Sequence, residues 1–548
     1  MIGDFAMKTK QKLTKISFLS SLVPLPMITP SGQPQLSLGV ITLRSVIWAV
    51  PLSIILYYLI QRTKLKFILL NKKTKYFIFL FFTVVYSSFA LIRHYSFKSN
   101  GQDLGVYIQT VHKLGHSKIP ELTNWYDTVH PFAVHFEPIL YFFVPFEYLG
   151  ILPPVLLVAQ VLGVTLGILG LFKIAKHLKL NSLIPALVSI AYGFSPALQH
   201  GIYFDFHTTM LMPSFIIFLF YFILKNDTKK ALLLTLPFLL IKEDTAIYTL
   251  FFGIYAFWSI RNVKLASSLM LLGGSYGALA VGKIIPTLGK GKITNFVFDR
   301  LGNSLPEAVR TSLTKPFYTI KAFFSPLKEK IPVLISTLLH GGLLPLWGYK
   351  ELLLVVPMFT MRFFTQHQRM WGFSMYYAAP TIAVIAVATL TGYKNLSNQK
   401  DKINLGLLSL CYGAAFSFLL GIMPQIPGYY SSSIYRGYFK PNFFKALTSN
   451  ETKSIRETLK LVPKDASICA SQSISPHVSM HSRTTFLGSS VCDNTYNYVL
   501  INQNINNWPL SKEEVAEIIK NLKANQEYSV IYSKEKTILF SKDLLKKY

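Results

Sequence analysis

The residues best placed to do chemistry in this sequence are ionisable groups that interrupt or border apolar runs. Asp103 lies in Gly101-Gln102-Asp103-Leu104-Gly105, shortly after one such run. His135-Phe136-Glu137-Pro138 opens another, Asp205-Phe206-His207 separates two more, and Lys242-Glu243-Asp244 splits a long one. Arg362, His367 and Arg369 surround the end of a further run, and Tyr376-Tyr377 opens the next. An ionisable group at membrane depth is costly, so each marks a functional position by default. Each also has a plainer role open to it. Asp103 suits a cap or turn, Lys242-Glu243-Asp244 an interhelical ion-pair knot, His340 a packing position and Arg362 a head-group anchor. Asp205 and His207 are alternate residues, so an extended turn presents both to one face, where they can ligate a divalent ion. No Cys/His spacing matches a closed zinc site. No Gly-rich phosphate loop, GxSxG elbow or HExxH is present.

The composition dictates what carries these groups. Of 548 residues, 51% are apolar or aromatic and only 15% are Asp, Glu, Lys or Arg, against about 25% in ordinary soluble domains. Mean hydropathy is +0.38. A soluble globule cannot cover that much hydrocarbon with so few charges. The three cysteines exclude a disulfide-scaffold protein. The net charge of +30 fits basic loops facing an anionic leaflet rather than nucleic acid. The chain therefore reads as an all-α polytopic membrane protein with a small C-terminal α/β domain.

A spanning helix needs about 20 apolar residues. Segments 38–60, 76–92, 155–175, 183–198, 211–224, 265–285, 376–392 and 403–423 qualify. Segment 139–149 is short and reads as a helix that enters without crossing. Segments 231–258 and 332–364 are interrupted and read as pairs of short helices, for 11–13 membrane helices in all. Broken helices are allowed only where protein or water lines the break, so they point to a cavity. Basic clusters at 61–75, Lys173–Lys179, Lys225–Lys230, Arg261–Lys264 and Lys394–Lys402 face the cytoplasm. Parity then puts 93–138, 200–208, 242–244, 286–331, 365–375 and everything after about 424 outside, so every group named above falls at one outer face.

Three regions result: an N-terminal anchor segment and basic loop (1–74), a transmembrane domain (75–423) with outer loops 93–138 and 286–331, and an extracytoplasmic tail (424–548). Residues 8–28 combine a basic stretch with an apolar one and read as an uncleaved anchor. In the tail, 464–471, 484–488, 496–502 and 528–532 read as strands, and 510–525 as an amphipathic helix capped by Ser511. Cys469 and Cys492 both lie there, and an exported domain can keep a disulfide, although spacing alone leaves the pairing open. Cys411 reads as helix packing.

The order of motifs resembles a known family. It runs Asp-Leu-Gly with Tyr107 and Gln109, His135-Phe136-x-Pro138, Phe204-Asp205-Phe206-His207, Lys242-Glu243-Asp244, a helix pair, and Tyr376-Tyr377 before Ala-Ala-Pro. In the tail, Pro463-Lys464-Asp465-Ala466-Ser467, Pro476-His477 and Tyr498-Val499-Leu500 continue the likeness. This is similar to a family of bacterial and archaeal membrane proteins classed only as a domain of unknown function. That family in turn resembles the GT-C superfamily of membrane glycosyltransferases, near the protein-mannosyltransferase and aminoarabinose-transferase groups. The resemblance implies transfer of a sugar from a polyprenyl-phosphate carrier to an acceptor at the outer face of the inner or plasma membrane. It implies a catalytic set of Asp103, His135, Glu137, Asp205 and His207, with Asp103 in the place of the family's first-loop acid, as base or metal ligand. It also implies a substrate-binding set of Lys242, Glu243, Asp244, Arg362, His367, Arg369 and Tyr376, whose cations would hold the phosphate. Many GT-C enzymes pair two acids in the first loop; here Gln102 precedes Asp103, so a divalent metal ion stays an open requirement. The alternative reading is a non-catalytic transporter, or a lipid-handling or assembly protein, on the same architecture.

Overall fold

The computed structural model describes residues 27–28, 34–35, 38–63, 65–117, 120–124, 129–290, 296–373, 375–399, 402–422, 443–489, 492 and 495–542. The expected N-terminal anchor stretch, apart from 27–28, lies outside them. Mostly helical structure fills the first four-fifths of the chain, and a sheet domain closes it.

Helix α1 (Leu38–Arg62) and helix α2 (Thr74–Tyr95) come first. A π-helical turn at Gly101–Gly105 leads into α3 (Val106–His116). The expected non-crossing segment is a 3-10 turn at Pro138–Phe143 running into the short α4 (Val144–Tyr148). Next come α5 (Leu152–His177), α6 (Leu183–Phe194) and α7 (Pro196–Tyr203). The continuous helix expected over 183–198 thus breaks at Ser195. The residue before a proline is driven out of the helical region, and Ser195 takes ψ 129 before Pro196.

The pair α8 (Met212–Leu224) and α9 (Thr228–Leu239) is separated by Asp227, whose carboxylate accepts from the Lys230 amide at 3.2 Å. The expected split at 242–244 is observed, with α10 (Thr245–Ile260) beyond it. Arg261 closes α10 in the left-handed region (φ 55), and Asn262 caps α11 (Val263–Leu279), which a π turn and a last short turn extend to Leu288. The segment 296–326 holds α12 (Leu305–Thr314) and α13 (Pro316–Phe324). The second interrupted run is likewise a pair of short helices, α14 (Leu327–Leu339) and α15 (Val355–Phe363). Helices α16 (Ala379–Ser397) and α17 (Ile403–Ile422) end the helical part.

Among the described residues, five stretches are long and apolar enough to cross a membrane: Thr74–Tyr95, Leu152–His177, Val263–Leu288, Tyr376–Ser397 and Ile403–Gly421. Shorter apolar stretches are Val46–Arg62 within α1, Leu183–Phe194, Thr208–Leu224 and Thr245–Ile260. Helix α16 is the axle of the bundle, buried almost throughout, whereas the Val263–Leu288 stretch leaves most of its surface exposed.

The tail is an α/β domain. Helix α18 (Asn450–Leu459) precedes β1 (Ser467–Ala470), a short helix α19 (Ser475–Val478), β2 (Arg483–Phe486) and β3 (Tyr498–Asn502). Helix α20 (Lys512–Ala524), β4 (Ser529–Lys534) and β5 (Thr537–Ser541) complete it. The sheet order is β2-β1-β3-β5-β4, with parallel pairing around β1 and antiparallel pairing around β5. Ser511 caps α20 in a reciprocal capping box with Glu514, as the sequence predicts. Cys469 and Cys492 form a disulfide. Helix α18 and strand β5 were not anticipated: α18 has polar first and last turns, and β5 follows β4 after only Glu535-Lys536, both left-handed.

Candidate active site

A cavity of about 1310 Å³ opens where the helix ends, the loops between them and the tail meet. Asp103, His135, Glu137, His207, Lys242, Glu243, Asp244, Arg362, His367, Arg369 and Tyr376 all line it. Residues nearly three hundred positions apart in the chain therefore share one wall. Asp205 is the exception.

Asp103 sits in the π-helical turn, and the two glycines that bracket it have a steric cause. A Cβ on Gly101 would stand 2.7 Å from Ser475 Cβ, and one on Gly105 would stand 2.8 Å from Asn124 Nδ2 and 3.0 Å from Ser479 Oγ. The turn is pressed against α19 of the tail, and the Gly101 amide donates to the Gln472 carbonyl at 2.9 Å. This closeness leaves the Asp103 carboxylate pointing into the cavity with only long contacts, to His207 Nε2 and Asn100 Nδ2, each at 3.5 Å. The His207 ring is itself held by stacking on Tyr376, with centroids 3.6 Å apart. Its Nδ1 is buried without a hydrogen-bond partner.

Glu137 lies deeper. It accepts from Tyr107 Oη at 3.2 Å and from Thr208 Oγ1. Burial, with Glu137 next to it, pushes the Tyr107 phenol well above its usual range, so it stays a donor. His135 Nδ1 meets Glu243 Oε1 at 2.8 Å, and the Phe136 amide donates to Glu243 Oε2 at 2.9 Å. Lys242 is buried beside them. Burial disfavours its charge, but Glu243, Asp244 and Glu137 outweigh that and raise its pKa, so the ammonium persists. Asp244 moves the other way: burial lifts its carboxyl to about 6 against the pull of Lys242.

Asp205 does not reach the cavity. Its φ of 69 is left-handed, which destroys the alternation that an extended turn would impose and sends Asp205 and His207 to different sides. The Asp205 carboxylate takes Arg93 of α2 and the Asn100 amide, the latter at 2.8 Å. Arg93 also lies over the Tyr203 ring at 4.7 Å. The divalent-ion pairing of Asp205 with His207 is therefore not formed. Among the described residues, the cavity offers no three His, Cys, Asp or Glu donors close enough to share an ion. Its donors do not fit a resident metal.

Arg362 lines the cavity, but its donors are taken up. Nε and Nη2 donate to the Met370, Trp371 and Gly372 carbonyls at 2.7–2.9 Å, fixing the loop that carries His367 and Arg369. It shapes the wall rather than offering a charge to a ligand. His340 is buried with Nδ1 against the Ser336 carbonyl at 2.6 Å, a packing histidine. Burial and the neighbouring Arg369 keep His367 below its ordinary pKa.

Several groups of the wall were missed in the sequence, among them Trp508, Asp299 and Thr209. Trp508 comes from the tail, Asp299 from the loop before α12, and Thr209 from the 3-10 turn after His207. Asp299 ties its loop to the rim by accepting from the Gln366 amide at 2.9 Å. Asp299 and Trp508 border no apolar run, and Thr209 borders one but is not ionisable, so the signal used for the others does not mark them. The tail joins the wall through a polar seam: Gln109 to Thr484 at 2.8 Å, Thr485 to the Asn124 carbonyl at 2.7 Å, and Asn506 to Asn100 at 3.2 Å.

The crystal structure of ArnT from Cupriavidus metallidurans bound to undecaprenyl phosphate is similar, with TM-score 0.45 and 10% identity, over 86% of this chain and 99% of that one. The Archaeoglobus fulgidus oligosaccharyltransferase tethered with an acceptor peptide matches with TM-score 0.38 and 11% identity, over 79% of this chain and 69% of that one. At such scores neither likeness decides the chemistry. No curated protein matches the chain. A family model described as a predicted membrane protein, DUF2079, matches residues 93–539, and the chain belongs to that family.

Proposed function

We propose that the chain is an integral-membrane glycosyltransferase that moves a sugar from a polyprenyl-phosphate donor to an acceptor at the outer face of the membrane. The observation that carries this reading is Asp103: an acid held by a sterically fixed turn, facing a large cavity, with no short partner to occupy its carboxylate. As general base it takes the proton of an acceptor hydroxyl while that oxygen attacks the anomeric carbon. The bond from the anomeric carbon to the phosphate oxygen breaks, and the phosphate leaves with the electron pair. Lys242 and Arg369 are the cations placed to stabilise that charge. His207 steadies Asp103, and His135 with Glu243 orients the floor.

The far wall suits a lipid chain. Ala246, Ile247, Leu250, Gly273, Gly274, Gly277, Ala278 and Val281 make it apolar. A Cβ on Gly273 would stand 2.6 Å from the Ala246 carbonyl oxygen, so α10 and α11 pack closely, beside a largely exposed apolar surface. The same reading places 1–74 as an anchor segment, 75–423 in the inner or plasma membrane and 424–548 outside. The Cys469–Cys492 disulfide supports an oxidising compartment for the tail.

A non-catalytic lipid-handling role is the second reading, favoured by Gln102 standing on the wall beside Asp103 where a second acid would serve catalysis. Envelope glycan analysis separates the two. In a strain lacking the chain, Asp103→Asn fails to restore the missing glycan at wild-type protein level if the chain is a transferase. A lipid-handling protein tolerates the change.

A further inference from the structure

On the opposite side of α3 from the cavity, His112 and His116 stand one helical turn apart, so their imidazoles share a face. Glu147 of α4 reaches both. Its Oε1 lies 2.9 Å from His112 Nδ1 and its Oε2 lies 2.7 Å from His116 Nε2. The three ligand atoms all fall within 4.8 Å of one another, and this is the one such group among the described residues. The two helices are built to meet here. A Cβ on Gly115 would stand 3.0 Å from Val144 Cγ1, and Tyr148 Oη donates to the Gly115 carbonyl at 2.8 Å.

We propose that His112, His116 and Glu147 bind a divalent transition-metal ion of the zinc class, which staples α3 to α4 at the outer surface. Two imidazoles and one carboxylate suit such ions, whereas calcium and magnesium prefer all-oxygen shells. Zinc takes nitrogen and oxygen ligands at about 2.0–2.2 Å, which sets neighbouring donors about 3.3 Å apart. Opening the present contacts by a few tenths of an ångström admits the ion. Each imidazole then turns its lone pair to the metal and keeps its proton on the other nitrogen. The His116 side chain is 39% exposed, so water completes the shell from that side. The sequence does not suggest this site, because Glu147 lies 31 residues after His116 in an unremarkable apolar stretch. The ion would hold the helix whose first residue follows the Asp103 turn, but the site is independent of the chemistry proposed for the cavity.

The test uses the full-length chain in detergent, stripped with a chelator and titrated with Co²⁺ alone under visible absorption, then with Zn²⁺ as competitor. One Co²⁺ per chain is expected, displaced by Zn²⁺. Affinity should fall more than about tenfold in His116→Gln and in Glu147→Gln, since even outer-shell changes cost that much. Asp103→Asn should bind as the wild type does. The proposal is overturned if the wild type takes up no Co²⁺, if both ligand variants keep its affinity, or if Asp103→Asn removes binding. Where a variant does not remain monodisperse, diethylpyrocarbonate labelling of the wild type gives the same answer. Zn²⁺ should protect His116, and unchanged labelling overturns the site.

Discussion

Two aspartates occupy similar places in the sequence and opposite ones in the molecule. Asp103 and Asp205 each follow an apolar helix, each sits in a tight turn, and the two turns share a wall. The Asp103 side chain is 17% exposed with its nearest ionisable neighbour, the His207 ring, 3.5 Å away. The Asp205 side chain is 2% exposed, with Arg93 and the Asn100 amide on its oxygens. A carboxylate whose lone pairs are already used is a strut, and one whose lone pairs face a cavity is available for chemistry.

The comparison is sharpest in variants that remove one role at a time. Asp103→Asn should produce the largest effect, a loss of transfer of about 10²–10⁴-fold, the usual worth of a general base, with thermal stability near wild type. Asp205→Ala should instead destabilise the chain by about 3–5 kcal/mol, because it strands Arg93 buried and unpaired. Thermal denaturation in detergent measures this. Replacing the pair together, Arg93→Met with Asp205→Leu, should recover most of that stability. If Asp205→Ala melts like wild type, the strut assignment fails.

Gly101→Ala should cost about 1–3 kcal/mol through overpacking against Ser475 and should lower transfer by displacing Asp103. Gly282→Ala, where an added Cβ meets nothing within 4 Å, should leave both unchanged. The smallest effect concerns pH. Asp244 binds its proton more tightly folded, at about 6, than unfolded, at about 3.9. Its contribution to stability is therefore complete below about pH 4 and is lost as pH rises through about 6. Asp244→Asn should flatten that decline, as denaturation at a series of pH values would show.

Much of this was legible in the sequence because membrane solvation makes polarity conspicuous. Lys242-Glu243-Asp244 split an apolar run and had to border a cavity, and the helix pair 228–260 follows. The Ser511 cap and the tail helix were readable from local hydrogen-bonding rules. What escaped was whatever depends on long-range neighbours. Asp205 looked like Asp103 until Arg93, 112 residues away, took its oxygens. Arg362 looked like a phosphate ligand until three carbonyls claimed its donors. Trp508 is one aromatic among many in the sequence, and only the docking of the tail brings it to the cavity. Glycine spacing was the overlooked clue: Gly101 and Gly105 mark the place where the tail presses on the turn.

The central claim is that Asp103 works on a ligand whereas Asp205 only supports the wall. Complementing a deletion strain with wild type, Asp103→Asn or the Arg93→Met, Asp205→Leu pair, and comparing envelope glycans by mass spectrometry at matched protein level, tests it most directly. The account predicts that the missing glycan returns with wild type and with the pair, and stays missing with Asp103→Asn. Its return with Asp103→Asn, or its absence with the pair at wild-type stability, would contradict the account.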